Sequence, residues 1–205
     1  MADSINTNET DPKTTAMTVN DIIRRRRTIK PKQLADMDVD ESIIREMLEN
    51  ANWAPTHGMT EPWRFKIYSG EARAKLGVFL ADTYNKITSP DKFTEKKFES
   101  LRINPTLAPY VIAICMKRQE SEKIPVIEEI QAVACAVQNM HLTAAAYGLG
   151  AFWSSNAAVC SEAMIKYVGL GSLDRVLGLF YVGYPAIDWP KGKRQPINEK
   201  VEWIS

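Results

Sequence analysis

The spacing of apolar residues predicts an amphipathic helix over residues 38–54. Five apolar side chains recur at intervals of three, four and seven, which places them on one helical face. They are Ile43, Ile44, Met47, Leu48 and Ala51. Asp40 and Glu41 lie in the predicted first turn, where negative charge is favourable. Pro55 ends the helix, because the residue before a proline avoids helical dihedral angles.

Apolar and polar runs elsewhere predict an interleaved series of helices and strands. The predicted helices cover residues 18–26, 71–86, 124–147 and 161–168, and the predicted strands 63–68, 110–116 and 176–184, with a strand or tight loop at 151–153. The run at 110–116 is apolar throughout, which is typical of a central strand buried on both faces. Such interleaving, without internal repeats, indicates one α+β or α/β domain.

Two segments carry weaker patterns. Residues 88–108 are polar and interrupted by proline, and we interpret them as a lid, a loop or a pair of short helices. The tail, residues 186–205, holds isolated apolar side chains such as Trp189, Trp203 and Ile204. We expect these side chains to pack elsewhere, for example on a second subunit.

The composition is that of an ordinary globular protein. The 205 residues include a hydrophobic share of 45% and a charged share of 25%, with a net charge of +1. This charge argues against nucleic acid as the main partner. No run reaches the roughly 18–20 apolar residues of a membrane span. Residues 1–16 are polar and unlike a secretion signal, so we expect a flexible arm before a single domain over 17–205.

Three widely spaced cysteines and two histidines argue against a structural zinc site. Cys115, Cys135 and Cys160 form no Cys-x-x-Cys pair, and no metal is expected. A sparse, odd count suits a reducing, cytoplasmic setting. The apolar neighbours of Cys115 and Cys135 predict that both are buried as small hydrophobic side chains.

Four consecutive arginines, residues 24–27, stand out against the neutral background, and Lys30 follows them. One interpretation is a solvated helix end, since cations are favourable at a helix C-terminus. A second is a phosphate site, because arginine pairs with phosphate through two parallel hydrogen bonds and Thr28 adds a hydroxyl donor. A nucleic-acid surface is the weakest interpretation, because the cluster is single and short.

The segment from Trp53 to Trp63 is dense in proline, glycine, histidine and tryptophan. It is either a loop with its tryptophans in the core or a surface that binds a flat ring. His57 alone is more typical of a structural hydrogen bond than of catalysis. The sequence also lacks a dinucleotide fingerprint, a P-loop and a nucleophile elbow. A cofactor would therefore carry the chemistry if the protein is an enzyme.

Taken together, these segments resemble the flavin-dependent nitroreductase family, in the family's order and over about residues 18–200. Arg26-Arg27-Thr28-x-Lys30 is similar to its N-terminal Arg-Arg-Ser-x-Arg/Lys. Ala54-Pro-Thr-His57, followed by Glu61-Pro-Trp63-Arg-Phe65, resembles its Ala-Pro-Ser and Gln-Pro-Trp-x-Phe. Gly148-Leu-Gly150-Ala-Phe-Trp153, Gly183-Tyr-Pro185 and Arg194-Gln-Pro196 resemble its three later motifs. The short intervals between motifs resemble the minimal bacterial members most.

The resemblance implies an FMN-binding homodimer with a three-layer α-β-α fold of the α+β class. Its central sheet would be mainly antiparallel, and the C-terminal extension would be exchanged with the partner subunit. Arg26, Arg27 and Thr28 would contact the FMN phosphate or ribityl region, with Arg194 as a second phosphate ligand. Lys30 would lie by the pyrimidine edge of the ring. Trp153, Ser154 and Ser155 would line the isoalloxazine, and His57 would reach it from the partner with Trp53 nearby.

The implied activity is ping-pong hydride transfer from NAD(P)H through FMN to a nitroaromatic, quinone or similar small acceptor. No protein side chain is expected to be catalytic, because the cofactor carries the reaction. Other flavin chemistry on the same fold (dehydrogenation, dehalogenation or flavin fragmentation), a non-catalytic FMN-binding module and a plain interaction domain remain alternatives. Two positions depart from the family pattern: Glu61 replaces a common Gln, and Met59 stands where longer members place an Asn.

Overall fold

The computed structural model describes the backbone of residues 12–205 and the side chains of residues 18–205. The described part contains six α-helices and four β-strands. The helices are α1 (Pro12–Arg25), α2 (Glu41–Asn52), α3 (Glu71–Ile87), α4 (Glu95–Ile103), α5 (Val126–Ala146) and α6 (Glu162–Tyr167). The strands are β1 (Trp63–Tyr68), β2 (Tyr110–Met116), β3 (Gly150–Ser154) and β4 (Arg175–Gly183).

The four strands form one sheet in the order β1-β2-β4-β3, and every neighbouring pair is antiparallel. A single parallel bridge between Thr28 and Ala151 extends the sheet beyond β3. The pairing register between β2 and β4 shifts between Ile114 and Cys115. Gly178 of β4, which pairs with Ile114, adopts a φ of 154°. This bulge bends the strand beside the end of β3.

Alternation along β2 separates two apolar cores, one on each face of the sheet. Ile112, Ile114 and Met116 face α2 and α5. Val111, Ala113 and Cys115 face α3, α4 and α6. The prediction of a central strand buried on both faces is confirmed. The predicted α+β, three-layer architecture with a mainly antiparallel sheet is also confirmed.

Helix boundaries differ from the predictions where local hydrogen bonds take over from the apolar pattern. Helix α2 begins at Glu41 rather than residue 38, because the Asp40 side chain accepts the Ser42 N–H as an N-cap. Segment 88–108 contains α4 followed by a short 3-10 helix, Asn104–Leu107. Thr94 caps α4, and α4 packs against α3. The segment is therefore closest to the predicted pair of short helices.

The N-terminal prediction is only partly covered by the structure. Helix α1 begins at Pro12, so residues 12–16 of the predicted arm are helical. Residues 1–11 lie outside the described residues. No helix in the described part of the chain is long and apolar enough to cross a membrane.

The expectation that Cys135 is buried is wrong for the single chain. Cys115 is fully buried in β2, as expected, but Cys135 is exposed on α5. The neighbouring residues Val133, Ala136 and Val137 turn into the core, which leaves position 135 on the opposite side of the helix.

The tail returns along the N-terminal segment before it leaves the body of the protein. Ala35 N–H donates to Tyr184 O (2.8 Å), and Ala186 N–H donates to Gln33 O (2.8 Å). Further along, Trp189 Nε1 donates to Arg25 O at 2.6 Å. The tail is thereby fixed against the end of α1. Its exchange with a partner subunit is not shown by the single chain and stays a prediction.

Candidate functional site

A cationic cavity of about 580 Å³ opens where the end of α1 meets the returning tail. Its basic residues come from both segments: Arg24, Arg26 and Arg27 from the first, Lys193 and Arg194 from the second. The remaining lining residues are Ile23, Gln138 and Gly192. None of the ion pairs among the described residues involves these cations. The cavity therefore concentrates positive charge that an anion can neutralise.

Arg27 is fixed by backbone carbonyls rather than by acidic side chains. Its Nε donates to Pro190 O at 2.7 Å, and its Nη1 donates to Arg24 O and Arg26 O at 2.5 and 2.8 Å. Gly192 passes so close to the Arg27 guanidinium that a Cβ atom there would have to displace it. The tail thus helps to set the position of Arg27, and no described carboxylate pairs with it.

Arg26 is the most perturbed of these cations. Burial lowers the pKa of its guanidinium, and the neighbouring Arg194 and Arg27 charges lower that pKa further. Arginine stays protonated even so, because its ordinary pKa is far above neutrality. Like charges held together in this way indicate a site that an anion stabilises.

Beneath Arg26 lies His141 of α5, which the sequence analysis does not select. Arg26 Nη1 donates to His141 Nδ1 at 3.3 Å, and the imidazole meets Phe180 edge-on with 4.7 Å between ring centroids. Burial, and secondarily the Arg26 charge, lower the pKa of His141 to about 4. His141 is therefore neutral at physiological pH.

The protein is expected to lose stability in acid through His141. The unfolded histidine, with a pKa near 6.5, takes up a proton before the folded one does. The contribution is fully present above that pH and falls by about 3 kcal/mol as the pH drops from about 6.5 to 4. Chemical denaturation across this range measures the decline. His141→Asn should flatten it, and equal declines in wild type and His141→Asn would contradict the assignment.

Thr28 and Lys30 continue from the arginines along the edge of β3. Ile29 N–H donates to Ala151 O at 3.0 Å, and Ile29 is 0% exposed. A Cβ atom at Gly150 would lie 2.6 Å from Ile29 Cβ, so the glycine admits this close approach. In the extended segment Thr28 and Lys30 point opposite to Ile29, and both are exposed. Their side chains are accessible beside the cavity.

The predicted ring-lining residues lie at the end of β3. The Trp153 indole packs on Gly178, where a Cβ atom would collide with it, and its Nε1 donates to Leu177 O at 3.1 Å. The Trp153 side chain is therefore held against the bulge between β4 and β2. Ser154 is partly exposed and Ser155 is exposed. The backbone and the serines of this segment remain available to a ligand.

Trp53 and His57 belong to a separate surface. Trp53, at the end of α2, is 79% exposed, and its Nε1 donates to Glu49 Oε1 at 3.2 Å. His57 Nδ1 lies 2.6 Å from Glu128 Oε2. None of the hydrogen bonds among the described residues joins either side chain to the arginine cluster. Within one chain, the structure does not bring these two residues to the cavity.

The loop after His57 has an unusual backbone. Gly58, Met59 and Glu61 all have positive φ angles, of 59°, 55° and 42°. Such angles are strained for residues with a Cβ atom and are concentrated at functional segments. Met59 and Glu61 are both exposed, and the Glu61 N–H donates to Thr56 Oγ1 at 3.2 Å. The two departures from the family pattern thus fall on the exposed tip of this loop.

The structure places four residues in or next to the cavity that were not predicted from the sequence. Lys193 lines the cavity, and its place in the basic run Lys191-Gly-Lys193-Arg194 was a usable signal. Gln138 and His141 carried no signal, because only the fold brings α5 to the arginines. Arg24 also lines the cavity, whereas the family motif selects only Arg26 and Arg27 from the run of four arginines.

Comparisons with known proteins indicate the same family as the sequence motifs do. The model of the nitroreductase family matches residues 23–184. A crystal structure of a nitroreductase-like family protein from Bacillus cereus is 30% identical, with a TM-score of 0.76 over 91% of this chain and 95% of that one. YfhC of Bacillus subtilis, provisionally named an NAD(P)H nitroreductase, is 29% identical over 89% of this chain and 92% of its own length.

A more distant solved structure has the same fold. The FMN-dependent nitroreductase NfnB of Mycobacterium smegmatis, solved in complex with NADPH, is 17% identical to this chain. The TM-score is 0.71, over 93% of this chain and the whole of NfnB. The family match spans the arginine run, the loop at residues 53–63 and the end of β3. The chain therefore belongs to the nitroreductase family.

Proposed function

We propose that this protein is an FMN-dependent oxidoreductase that uses NAD(P)H to reduce a nitroaromatic, a quinone or a similar small acceptor. The observation that carries the proposal is the cavity formed by Arg26, Arg27, Lys193 and Arg194, whose cations pair with no carboxylate of residues 18–205. FMN differs from riboflavin by a phosphate monoester. A cluster of unpaired guanidinium groups is the donor set that such a group requires.

The residues present fit the phosphate and its attached chain. Arg26 and Arg194 approach the cavity from opposite segments, so together they would surround the phosphate oxygens. Thr28 is exposed next to them and would add a hydroxyl donor to the phosphate or the ribityl chain. Arg27 would contribute charge while its position stays fixed by Pro190.

The ring would lie along the exposed edge beyond Thr28. Lys30 would place a positive charge there, where a two-electron reduction accumulates negative charge. Ser154, Ser155 and the Trp153 backbone would line the other side of the ring, because β3 pairs with the segment that carries Thr28. The contribution of the chain is orientation and a positive field.

When bound, FMN supplies the two-electron hydride chemistry that links NAD(P)H to the acceptor. None of the described residues that line the cationic cavity is an acid, a cysteine or a serine. The chain's own residues hold the cofactor and position the two substrates in turn.

We further propose that the protein is a homodimer whose site is shared. Trp53 and Met59 are each 79% exposed, and Trp203 and Ile204 are each 92% exposed. Large apolar side chains exposed to this extent mark an interaction surface. Strand β1 also ends the described sheet and leaves an edge for a further strand. Tail residues 201–204 would cover apolar surface on the partner, and Trp53 and His57 would face the partner's flavin.

Removing the apolar end of the tail is expected to dissociate the dimer. Trp203→Ala with Ile204→Ala should shift the molecular mass measured by light scattering from dimer to monomer. It should also weaken FMN binding about tenfold or more, since about 1.4 kcal/mol changes an affinity tenfold. The matched control, Ile87→Ala with Leu173→Ala, removes two other exposed apolar side chains and should leave the dimer intact. A wild-type monomer with full flavin occupancy would contradict the shared site.

Anaerobic assays with NADH and NADPH test the reaction itself. The FMN-loaded protein should be reduced by at least one donor and reoxidised by a nitroaromatic or a quinone, with parallel-line kinetics that report a ping-pong order. A protein that binds FMN but accepts no hydride would instead be a non-catalytic flavin module. A protein that is reduced but rejects both acceptor classes would point to other flavin chemistry.

A cytoplasmic setting is part of the proposal, because the exposed Cys135 and Cys160 are free thiols.

A further inference from the structure

His141 combines three features that a structural core histidine does not need. It is only 9% exposed, and its Nδ1 lies 3.3 Å from Nη1 of Arg26. A guanidinium can only donate hydrogen bonds, so Nδ1 must be the acceptor and the ring proton lies on Nε2. His141 Nε2 has no hydrogen-bond partner in the described structure. Its one polar contact among the described residues is therefore with Arg26, a cation that lines the cavity.

We propose that His141 is a positioning residue for the phosphate site: a buried, neutral acceptor that holds Arg26 toward the cavity without neutralising its charge. The inference rests on the proposed binding of FMN. It adds a second kind of residue to the site: the cations would touch the phosphate, and the His141 ring would orient one of these cations.

Repulsion among the cations explains why such an anchor is needed. Arg194 and Arg27 both act on the Arg26 guanidinium as like charges, and an unanchored side chain would turn away from them into solvent. Holding a long arginine side chain also opposes its rotamer entropy. The hydrogen bond to His141 fixes the Arg26 guanidinium before any anion arrives.

The neutral character of the anchor is as important as its position. A carboxylate in place of His141 would pair with Arg26, and a phosphate would then have to compete with it. Imidazole accepts a single N–H and leaves the other donors and the whole charge of Arg26 available. Among the described residues, His141 contacts Arg26 and the apolar ring of Phe180, and neither of them neutralises the site.

The test compares FMN with riboflavin, which has the same ring and ribityl chain but no phosphate. Dissociation constants for both are measured by flavin fluorescence on flavin-stripped wild type, His141→Leu, His141→Asn and His141→Asp. His141→Leu removes the acceptor and should weaken FMN binding about tenfold, while riboflavin binding stays within about twofold. His141→Asn keeps an amide oxygen acceptor and should bind FMN within about threefold of wild type.

The aspartate variant tests the charge of the anchor. His141→Asp keeps an acceptor but pairs with Arg26, so the preference for FMN over riboflavin should fall about tenfold and depend less on salt. A folded leucine or aspartate variant with an unchanged preference would overturn the proposal. Equal losses for FMN and riboflavin would also overturn it, because they indicate a structural role only. Wild type that binds neither flavin would instead refute the proposed function.

The tautomer of His141 can also be tested in the wild-type protein, without relying on the effects of substitutions. Imidazole nitrogen chemical shifts, assigned by their loss in His141→Asn, report the tautomer of His141. At neutral pH, with and without FMN, the proposal requires a neutral ring protonated at Nε2. An imidazolium ring or an Nδ1–H tautomer would overturn it, since neither can accept from Arg26.

Discussion

Replacing Arg26 and Arg194 together by alanine is expected to weaken FMN binding about a thousandfold. Hydrogen bonds to a charged group contribute about 1.5–3 kcal/mol each, and each 1.4 kcal/mol is a factor of about ten in affinity. The two guanidinium groups approach the same cavity, and neither is paired with a carboxylate among the described residues. Titration of flavin-stripped protein, followed by flavin fluorescence, measures the loss.

Riboflavin and a neighbouring arginine serve as controls for this result. The double variant should bind riboflavin about as well as wild type does, because riboflavin has no phosphate to lose. Arg25→Ala removes a cation from the same run, but Arg25 does not line the cavity. It should leave FMN affinity within about threefold of wild type, as expected for a solvated charge near a binding site. A double variant with unchanged FMN affinity would refute the phosphate assignment.

Replacing Glu129 by alanine is expected to cause the largest loss of stability, about 3–5 kcal/mol. Glu129 of α5 accepts from Arg118 Nη1 at 2.5 Å and from Gln119 N–H at 3.1 Å. The side chains of Arg118 and Glu129 are 7% and 0% exposed, respectively. Removing the carboxylate leaves a buried guanidinium without its counter-charge. Chemical denaturation of the flavin-free protein measures the change.

An exposed ion pair provides the matched control for Glu129. Glu99 pairs with Arg102 within α4 at 3.5 Å, and the Glu99 and Arg102 side chains are 41% and 57% exposed. Glu99→Ala removes the same type of side chain, but from a solvent-accessible pair, and should change the free energy of unfolding by less than about 1 kcal/mol. Equal, small effects of the two substitutions would show that the buried pair contributes little to folding.

The strands were predictable because their patterns extend over whole elements. The bounds predicted for β1 and β2 are those observed, since alternation in the first and a continuous apolar run in the second leave little freedom. The Cys135 prediction failed for a related reason. Its neighbours are apolar, but the helical repeat places position 135 opposite Val133 and Ala136. Local hydrophobicity did not identify the buried face.

The candidate site was predictable only where its residues are close in sequence. Arg26, Arg27, Thr28 and Lys30 follow one another, and their motif could be recognised directly. The bond from Arg27 to Pro190 spans 163 positions, and the bond from Arg26 to His141 spans 115. No local pattern encodes those contacts, because they depend on the return of the tail and on the packing of α5. The roles of Trp53 and His57 stay predictions that depend on a second subunit.

The central claim is that the cationic cavity holds the phosphate of FMN. The most direct test is to purify the protein, remove unbound small molecules, release what remains by denaturation and identify it by chromatography and mass spectrometry. We expect a yellow protein that releases FMN, and a stripped protein that takes FMN up again in preference to riboflavin. A colourless protein that cannot be loaded with FMN, or one that binds riboflavin equally well, would contradict the account.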